Sequence, residues 1–518
     1  MKFLSLVLAC TFCPVALAAP PLAPHLTVEA TDIRQLEFNY EPVPGVASYE
    51  LWFRAASGAQ WVKYQEHAAQ RAPLFRIGVA VHLLDWRQAR YHVKACNPSG
   101  CTPSNEVGVD GLQLVAMGYI KPNVPIRQKH FGSTVAVSAD GKTVAALASE
   151  NVGGQQRSVT VHVYRRNNAI GDWRREARLL PSTSQRDTNQ PLVGDPLAIS
   201  GDGNLIVLGA WMERMDGRQA SDGAVYLFRR SGTTWRQAQK LTFPSEVANE
   251  LGDQFGYSVK VDDAGRMLVV SHRYVDDRSE PSTLEIYRDP DDASDQFVHT
   301  GTVPTSLDGR CSGGIALSGD GLTMLRGCFG DLTEYNFVQV LKGPDFAERG
   351  HLTHVYPEGM DLSFDGTQAI VQYDGHAEGW ELTSGGWVPN GTISAINTYD
   401  YRQRRWVAIS RDGKIAAVGN SSEYTLGVGP TYPPYVAGDM LSGSGGVAIA
   451  ERKSSGWVLR RLIKPGSTHE ASAGNSVALG DNGRILAVGA PFDPSGAAGI
   501  DGDRNDASSP ETGAVWIY

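Results

Sequence analysis

Short runs of alternating apolar and polar residues recur along most of the chain, in pairs joined by a small turn rich in Asp and Gly. The pairs occupy seven ranges, Phe131–Ala148, Asp195–Ala210, Phe255–His272, Ser312–Cys328, Met360–Gln372, Trp406–Asn420 and Asn475–Ala490. Alternation with a period of two predicts half-buried β-strands, and the Asp and Gly between them predict a turn. The pattern therefore predicts seven copies of an antiparallel strand pair.

Each pair is followed by two more apolar runs. The third run is clearest at Gly223–Phe228 and Gly513–Tyr518, and the fourth begins at an aromatic residue. The aromatic residues are Trp173, Trp235, Phe297, Phe346, Trp387 and Trp457. Units of four short antiparallel strands that repeat every few tens of residues are typical of a β-propeller. The sequence therefore predicts an all-β fold that contains a propeller of seven blades.

The two ends of the repeat region complement each other. The last copy ends at Tyr518 directly after its third strand, so its fourth strand is missing from the local sequence. A spare segment, Leu114–Pro122, precedes the first copy and is similar to Arg461–Pro465, where a fourth strand ends. We therefore predict that this early strand completes the last blade, which leaves no blade with an open edge towards its neighbour.

The residues before the repeat predict a smaller β-domain. About seven short strands separated by Pro and Gly turns fill residues 22–110, and this spacing is typical of a β-sandwich. Two segments, Glu41–Leu51 and Tyr91–Asn97, resemble a fibronectin type III domain. The resemblance implies that the Tyr91 hydroxyl bonds back to the chain near Leu84 and Asp85.

The repeat itself resembles the FG-GAP family, which forms the propellers of integrin α-subunit heads and of many exported bacterial proteins. The matching segments are His130–Ser138, Phe255–Val259 and Ala487–Pro491, whereas the fourth and fifth copies lack the Phe-Gly pair. The resemblance implies a seven-bladed propeller, and it implies calcium in the turn between the first two strands of some blades.

The turns of this chain are poor candidates for that calcium. Ser138–Gly141, Ser200–Gly203 and Ser410–Gly413 each offer one carboxylate, whereas Ca²⁺ takes six to eight oxygen ligands. We therefore expect these aspartates to bond to the turn backbone, and we do not transfer the calcium role to them.

One other loop is a candidate metal site. Asp501, Asp503, Asn505 and Asp506 place acidic or amide oxygens at positions one, three, five and six of a segment that resembles the start of a calcium loop. The alternative is a solvated loop rich in Asx turns. No other cofactor is expected.

Residues 1–18 predict a secretory signal peptide, because Lys2 precedes an apolar run that ends in Ala16-Leu17-Ala18. A lipid anchor on Cys10 is the alternative. We therefore divide the chain into a signal peptide at 1–18, a fibronectin type III-like sandwich at 19–111 and a propeller at 112–518. The mature chain has no further run of the ~18 apolar residues that a membrane helix needs, and we expect it outside the cell, in the periplasm or at the cell surface.

Four cysteines remain after the signal peptide, an even number in an oxidising compartment. We predict the disulfides Cys96–Cys101 and Cys311–Cys328. The second pair comes close if Gly319 and Asp320 form a two-residue hairpin turn, because facing residue numbers then sum to 639.

Composition limits the partners. With 42% hydrophobic and 20% charged residues the chain is globular, and a net charge of −9 gives no basic face for nucleic acid. Long loops on a rigid scaffold are where binding usually occurs. We therefore consider as ligand-binding candidates Tyr424, Tyr432 and Tyr435 in the loop Ser421–Ser444, together with Trp211. The alternative is that these tyrosines only cover the tops of the blades.

Motifs for catalysis are weak. Gly443-Ser444-Gly445 lies in a Gly/Ser loop without the strand–turn–helix context of a nucleophile elbow, and no His pairing suggests zinc. We therefore predict a non-enzymatic binding or adhesion protein whose partner is a protein or a glycan. The alternatives are a secreted enzyme that acts on polysaccharide through loop carboxylates, and a passive surface component.

Overall fold

The computed structural model describes residues 19–518 apart from a set of short gaps. The gaps are 33, 84–87, 111, 113–116, 125–129, 153–155, 168–172, 183–195, 215–221, 245–253, 273–282, 291–295, 305–310, 312–313, 329–336, 354–358, 374–375, 394–405, 424–442 and 465–470. The described residues form strands and turns without a helix, as the all-β prediction requires. The predicted signal peptide, with Cys10, lies outside them.

The chain divides into two compact units. The first comprises Met1–Thr31, Gln35–Ile77 and Leu84–Leu112, and the second comprises Asp32–Arg34, Gly78–Leu83 and Gln113–Tyr518.

Among the described residues the first unit contains two sheets, and the larger one is antiparallel. Its strands are β1 (Leu26–Asp32), β2 (Gln35–Tyr40), β3 (Ser48–Arg54), β4 (Val62–Ala68), β5 (Leu74–Gly78), β6 (Arg90–Asn97), β7 (Gly100–Pro103) and β8 (Val107–Gly108). One sheet has the order β1-β2-β5, and the other has the order β4-β3-β6-β7 with β8 paired to β6.

Aromatic side chains join these two sheets. The ring centroids of Phe38 and Tyr91 lie 4.7 Å apart, and those of Tyr40 and Tyr49 lie 4.3 Å apart. All four rings are buried, so they form the core of the unit. The segment to which the Tyr91 hydroxyl was predicted to bond, Leu84 and Asp85, lies outside the described residues.

In the part of the chain that the structure describes, the second unit contains seven four-stranded sheets, numbered here in chain order. Their strands are, for sheet 1, β10 (Val135–Val137), β11 (Thr143–Val152), β12 (Gln156–Arg165) and β13 (Arg174–Leu179); for sheet 2, β14 (Leu197–Ile199), β15 (Leu205–Gly209), β16 (Val225–Ser231) and β17 (Thr234–Leu241); for sheet 3, β18 (Ser258–Val261), β19 (Met267–Ser271), β20 (Leu284–Arg288) and β21 (Val298–Val303); for sheet 4, β22 (Ile315–Leu317), β23 (Thr323–Cys328), β24 (Phe337–Lys342) and β25 (Ala347–Thr353); for sheet 5, β26 (Gly359–Leu362), β27 (Gln368–Tyr373), β28 (His376–Thr383) and β29 (Gly386–Ile393); for sheet 6, β30 (Val407–Ile409), β31 (Ile415–Asn420), β32 (Gly446–Lys453) and β33 (Gly456–Ile463); and for sheet 7, β34 (Ser476–Gly480), β35 (Ile485–Ala490), β36 (Ala514–Ile517) and the early strand β9 (Gly118–Ile120).

The early strand β9 completes sheet 7. It pairs antiparallel with β36, so that Ile120 faces Val515 and Tyr119 faces Trp516. This pairing confirms the predicted place of the segment before the first copy.

The sheets follow one another around a closed circle. The first strands of successive sheets contact each other, and the first strand of sheet 7 contacts that of sheet 1. Backbone hydrogen bonds join the turns of neighbouring sheets. Asp140 N–H donates to Gly201 O at 3.2 Å, Gly201 N–H donates to Asp263 O at 2.9 Å, and Asp481 N–H donates to Ala139 O at 2.9 Å. This arrangement is that of a β-propeller.

The turn between the first two strands is held by its own side chains. In sheet 1 the Ser138 hydroxyl donates to Asp140 Oδ1 at 2.6 Å, and the same carboxylate accepts Lys142 N–H at 2.9 Å. The pairs Ser200–Asp202, Ser318–Asp320, Ser363–Asp365 and Ser410–Asp412 make the same hydroxyl-to-carboxylate bond. The expectation that these aspartates bond within the turn is confirmed.

The predicted two-residue hairpin at Gly319 and Asp320 is wrong. Ile315 pairs with Arg326 and Leu317 with Met324, which leaves a longer turn. Asp320 holds this turn, because its carboxylate accepts both the Ser318 hydroxyl and Leu322 N–H. The predicted disulfides Cys311–Cys328 and Cys96–Cys101 are nevertheless both present.

A glycine stands just before the third strand where the next sheet comes closest. A Cβ atom on Gly513 would lie 2.1 Å from Phe131 O, and one on Gly223 would lie 2.2 Å from Phe255 O. Both glycines have a positive φ, 81° and 80° respectively. Neighbouring sheets therefore meet here in a way that leaves no room for a side chain.

Gly513→Ala is expected to lower the free energy of unfolding by about 2–4 kcal/mol, because it adds a backbone clash to the cost of a left-handed residue. Gly499→Ala is the matched control, since φ is 79° and no atom lies within 4 Å of its Cβ position. That control should cost only about 1 kcal/mol. Urea unfolding measures both, and equal losses would contradict the close approach at Gly513.

Candidate functional site

The connections of the propeller unit fall at two ends. Because each sheet is antiparallel, the Ser-x-Asp turns lie at one end, called here the turn end. The connections between second and third strands, and those between sheets, lie at the other end, called here the loop end. Among the connections between second and third strands, the longest leave sheets 2, 6 and 7, and they include the segments where binding was predicted.

An acidic residue fixes the base of each of these three loops. Glu213, Glu423 and Asp493 are all buried, and each stands four positions after a glycine of the second strand. The backbone carbonyl of each accepts the N–H of the glycine that precedes the third strand, at 2.9, 2.8 and 3.1 Å respectively. Both ends of each loop are therefore tied together where the loop leaves its sheet.

A lysine from the fourth strand, or from the residue directly after it, pairs with each acid. Lys240 Nζ lies 2.6 Å from Glu213 Oε1, Lys121 Nζ lies 2.9 Å from Asp493 Oδ1, and Lys464 contacts Glu423. We call each acid–lysine pair a loop lock. Sequence analysis missed the loop locks, although the repeated spacing from glycine to acid was visible.

Further hydrogen bonds complete the loop locks. The Tyr226 hydroxyl donates to Glu213 Oε2 at 2.6 Å, and the Tyr119 hydroxyl donates to Asp493 Oδ1 at 2.6 Å. Lys121 also donates to the Thr512 hydroxyl at 2.6 Å, so one lysine holds both ends of the sheet 7 loop. Burial lowers the pKa of Lys121, and the Asp493 carboxylate opposes that shift.

Trp211, a predicted ligand-binding residue, lies within this region but is buried. Its indole packs edge-on against Tyr257, with ring centroids 5.6 Å apart. Tyr424, Tyr432 and Tyr435 lie outside the described residues. A role for the four residues in binding stays a prediction.

Three of the four predicted metal ligands accept hydrogen bonds from the protein backbone through their carboxylates, and Asn505 supplies one of the donors. Asp501 Oδ1 accepts Tyr119 N–H at 3.0 Å, Asp503 Oδ1 accepts Asn505 N–H at 2.9 Å, and Asp506 Oδ1 accepts Ser508 N–H at 2.9 Å. Burial raises the pKa of Asp501. A calcium site at these residues stays a prediction.

One group of three potential metal ligands occurs among the residues that the structure describes. It consists of Glu50, Cys96 and Cys101 in the first unit, whose ligand atoms lie within 4.8 Å of one another. The two sulfur atoms form a disulfide, so they are not thiolate ligands. This group is therefore a disulfide bond with a neighbouring carboxylate.

A second buried polar cluster lies in sheet 3 and was also missed. The buried Glu285 carboxylate accepts the hydroxyls of Thr283 and Thr302 at 2.7 Å each and contacts His299 Nε2 at 2.7 Å. The Thr283 hydroxyl also lies 2.6 Å from His272 Nε2. His272 is fully buried, and burial lowers its pKa to about 4. The cluster therefore keeps a neutral imidazole inside the propeller at neutral pH.

Lys121→Met is expected to lower the free energy of unfolding by about 3 kcal/mol, because it leaves the buried Asp493 carboxylate without its counter-charge. Lys121→Met combined with Asp493→Leu should recover much of that loss. Lys142→Met, which removes an exposed pair with Asp140 at 3.5 Å, should change stability by less than about 1 kcal/mol. Denaturant unfolding compares the three, and a double variant no more stable than Lys121→Met would contradict the loop lock.

His272 is expected to make the fold less stable in acid. Its pKa is about 4 when folded and 6.5 in the reference state, so the unfolded chain binds the proton first as pH falls. Its contribution is complete above pH 6.5 and declines by roughly 3 kcal/mol towards pH 4. His272→Gln should flatten the curve of unfolding free energy against pH over that window, whereas the exposed-site variant His25→Gln should leave it unchanged. Parallel curves for wild type and His272→Gln would refute this.

The structure of this chain is similar to known proteins at the level of fold. No known family matches the sequence, and no curated protein is similar to it. The described residues contain no helix of the length and apolar character that crossing a bilayer requires. Hydrazine synthase of Kuenenia stuttgartiensis is similar over 71% of this chain and 94% of its own, with 12% identity and a TM-score of 0.42.

Two further solved structures show the same level of similarity. Oligogalacturonate lyase of Vibrio parahaemolyticus is similar over 77% of this chain and 92% of its own, with 9% identity and a TM-score of 0.40. The β-propeller domain of the Trilobed protease of Pyrococcus furiosus is similar over 87% of this chain and 98% of its own, with 8% identity and a TM-score of 0.34. These similarities concern architecture alone. The similar structures include β-propellers.

Proposed function

We propose that this protein is an exported, non-catalytic binding or adhesion protein that presents the loop end of its propeller to a protein or glycan. The observation that carries the proposal is the set of three loop locks. In each loop lock, a buried acid and a lysine hold the base of a long loop. A loop tied at its base to a rigid scaffold begins and ends at defined points, and such loops are where proteins commonly place binding residues.

The proposal includes a finer description of the architecture. The seven described sheets and their cyclic contacts support a seven-bladed ring in which β9 supplies the last fourth strand. The two sheets of the first unit support a fibronectin type III-like sandwich. The Phe-Gly and Gly-Ala-Val segments support kinship with FG-GAP propellers of the integrin type.

Export is the second part of the proposal. The first 18 residues have the pattern of a signal peptide, and two disulfides suit an oxidising compartment. We place the mature protein outside the cell, in the periplasm or on the cell surface. The ligand is then a macromolecule of that environment rather than nucleic acid.

Arrays of defined glycans and purified extracellular proteins test the proposal with the mature protein, residues 19–518. We expect saturable binding to at least one ligand, and no released product when the bound polysaccharides are incubated with the protein. Heat-unfolded protein is the control for nonspecific adhesion. Product release from a polysaccharide would overturn the non-catalytic reading in favour of the enzyme alternative, and the absence of any bound ligand would overturn the proposal altogether.

A further inference from the structure

Two neighbouring junctions at the loop end have the same backbone arrangement. Where sheet 7 meets sheet 1, His130 N–H donates to Glu511 O at 3.2 Å. Where sheet 6 meets sheet 7, Ser472 N–H donates to Gly443 O at 2.7 Å. We call these junction 7/1 and junction 6/7. Because the propeller repeats, junction 6/7 is a reference for the side chains of junction 7/1 at equivalent positions.

The side chains of the two junctions differ at three equivalent positions. Junction 6/7 has Ser422 before its loop-lock acid, Ser472 before the first strand, and Gly443 near the end of the loop. The equivalent residues at junction 7/1 are Phe492, His130 and Glu511. Two small polar residues and a glycine are thus replaced by an aromatic ring, an imidazole and a carboxylate.

Glu511 has a backbone conformation that favours glycine. Its φ is 60°, and the equivalent Gly443 has a φ of 71°. This conformation has a steric free-energy cost for a residue with a side chain, whereas glycine adopts it without that cost. His130 and Ser472 share φ values of 48° and 49°, so that strain belongs to the repeat. Of these two junctions, 7/1 alone has a residue with a side chain in this conformation near the end of the loop, and such strain is concentrated at functional sites.

The three side chains of junction 7/1 lie together and reach solvent. The Phe492 and His130 rings meet nearly edge-to-face, with centroids 5.2 Å apart, and His130 Nε2 lies 3.5 Å from Glu511 Oε2. Phe492 is 40% exposed, and the side chains of Glu511 and His130 are 43% and 22% exposed.

Exposed aromatic rings are few in the described part of the chain. Tyr64 belongs to the first unit, and Phe364 lies at the turn end, where the Arg411 guanidinium covers its ring at 4.3 Å. Phe492 is therefore the exposed ring that the described residues place at the loop end. An aromatic face beside polar groups is a common feature of ligand sites.

We propose that Phe492, His130 and Glu511 form a subsite for a neutral sugar ring. This inference rests on the proposed binding function and names its ligand class. A sugar ring has an apolar C–H face that packs on an aromatic ring, and hydroxyls that both donate and accept. The carboxylate accepts from hydroxyls, and the imidazole either donates or accepts. The carboxylate already faces the imidazole, so the ligand does not need to bring a charge.

The test replaces each residue by its counterpart from junction 6/7. The variants are Phe492→Ser, His130→Ser and Glu511→Gly, and the probes are neutral glucan, galactan, mannan and chitin oligosaccharides in calorimetric titrations of the mature protein. We expect at least one oligosaccharide to bind the wild type, and each variant to weaken that binding about tenfold or more. Ser422→Ala and Ser472→Ala at junction 6/7 are the matched controls and should leave the dissociation constant unchanged.

Glu511→Gly separates a binding role from a structural one. Because glycine relieves the left-handed backbone, this variant should unfold at the same temperature as the wild type or at a higher one, while its binding weakens. A lower unfolding temperature together with unchanged binding would show that Glu511 serves the fold and would overturn the inference.

The remaining outcomes separate this inference from the proposed function. If an oligosaccharide binds and none of the three substitutions changes its dissociation constant, the subsite is wrong and the binding function stands. If only a defined protein binds, the sugar class is wrong and the binding function again stands. If neither oligosaccharides nor defined proteins bind, both proposals fail.

Discussion

The pairing of β9 with β36 is the contact on which the propeller depends. Every other sheet of the unit is built from strands that follow one another directly, whereas Tyr119 and Trp516 lie about 400 residues apart in the chain. Closing a loop of that size costs roughly 5 kcal/mol of chain entropy. The strand is short, and the cost is offset by burial of Tyr119, Ile120 and Trp516 as well as by the backbone bonds. Without this pairing, sheet 7 lacks its fourth strand.

The same strand also organises the loop end. Lys121 follows β9 directly and binds both Asp493 and Thr512, which stand at the two ends of the sheet 7 loop. The loop in turn bonds back to β9, because Asp501 accepts Tyr119 N–H and its own N–H donates to Tyr119 O. Completion of sheet 7 and placement of this loop therefore depend on the same residues. The residues of junction 7/1 lie beside it, so their positions depend on closure as well.

Local features of the fold could be predicted from the sequence, and features made by distant residues could not. Period-two alternation and the Ser-x-Asp turns act between neighbours, so the strands and the turn aspartates were predicted correctly. The predicted register of the hairpin before Cys328 was wrong because Asp320 stabilises a longer turn than the two-residue turn expected at Gly319 and Asp320. The Lys464–Glu423 pair joins residues that follow separate strands, and the His272 cluster likewise joins distant positions. The repeated spacing from glycine to acid was visible in the sequence, but it does not indicate which lysine lies opposite the acid.

The loop locks separate the shape of the scaffold from the content of its loops. A chain tied at the two points where it leaves a sheet transmits little of its own length or sequence to the strands below. In the sheet 7 loop, residues outside the segment that bonds to β9 can thus be exchanged while Asp493 and Thr512 stay in place. A propeller built in this way can change the sequence of one loop at a time while the strands below keep their structure.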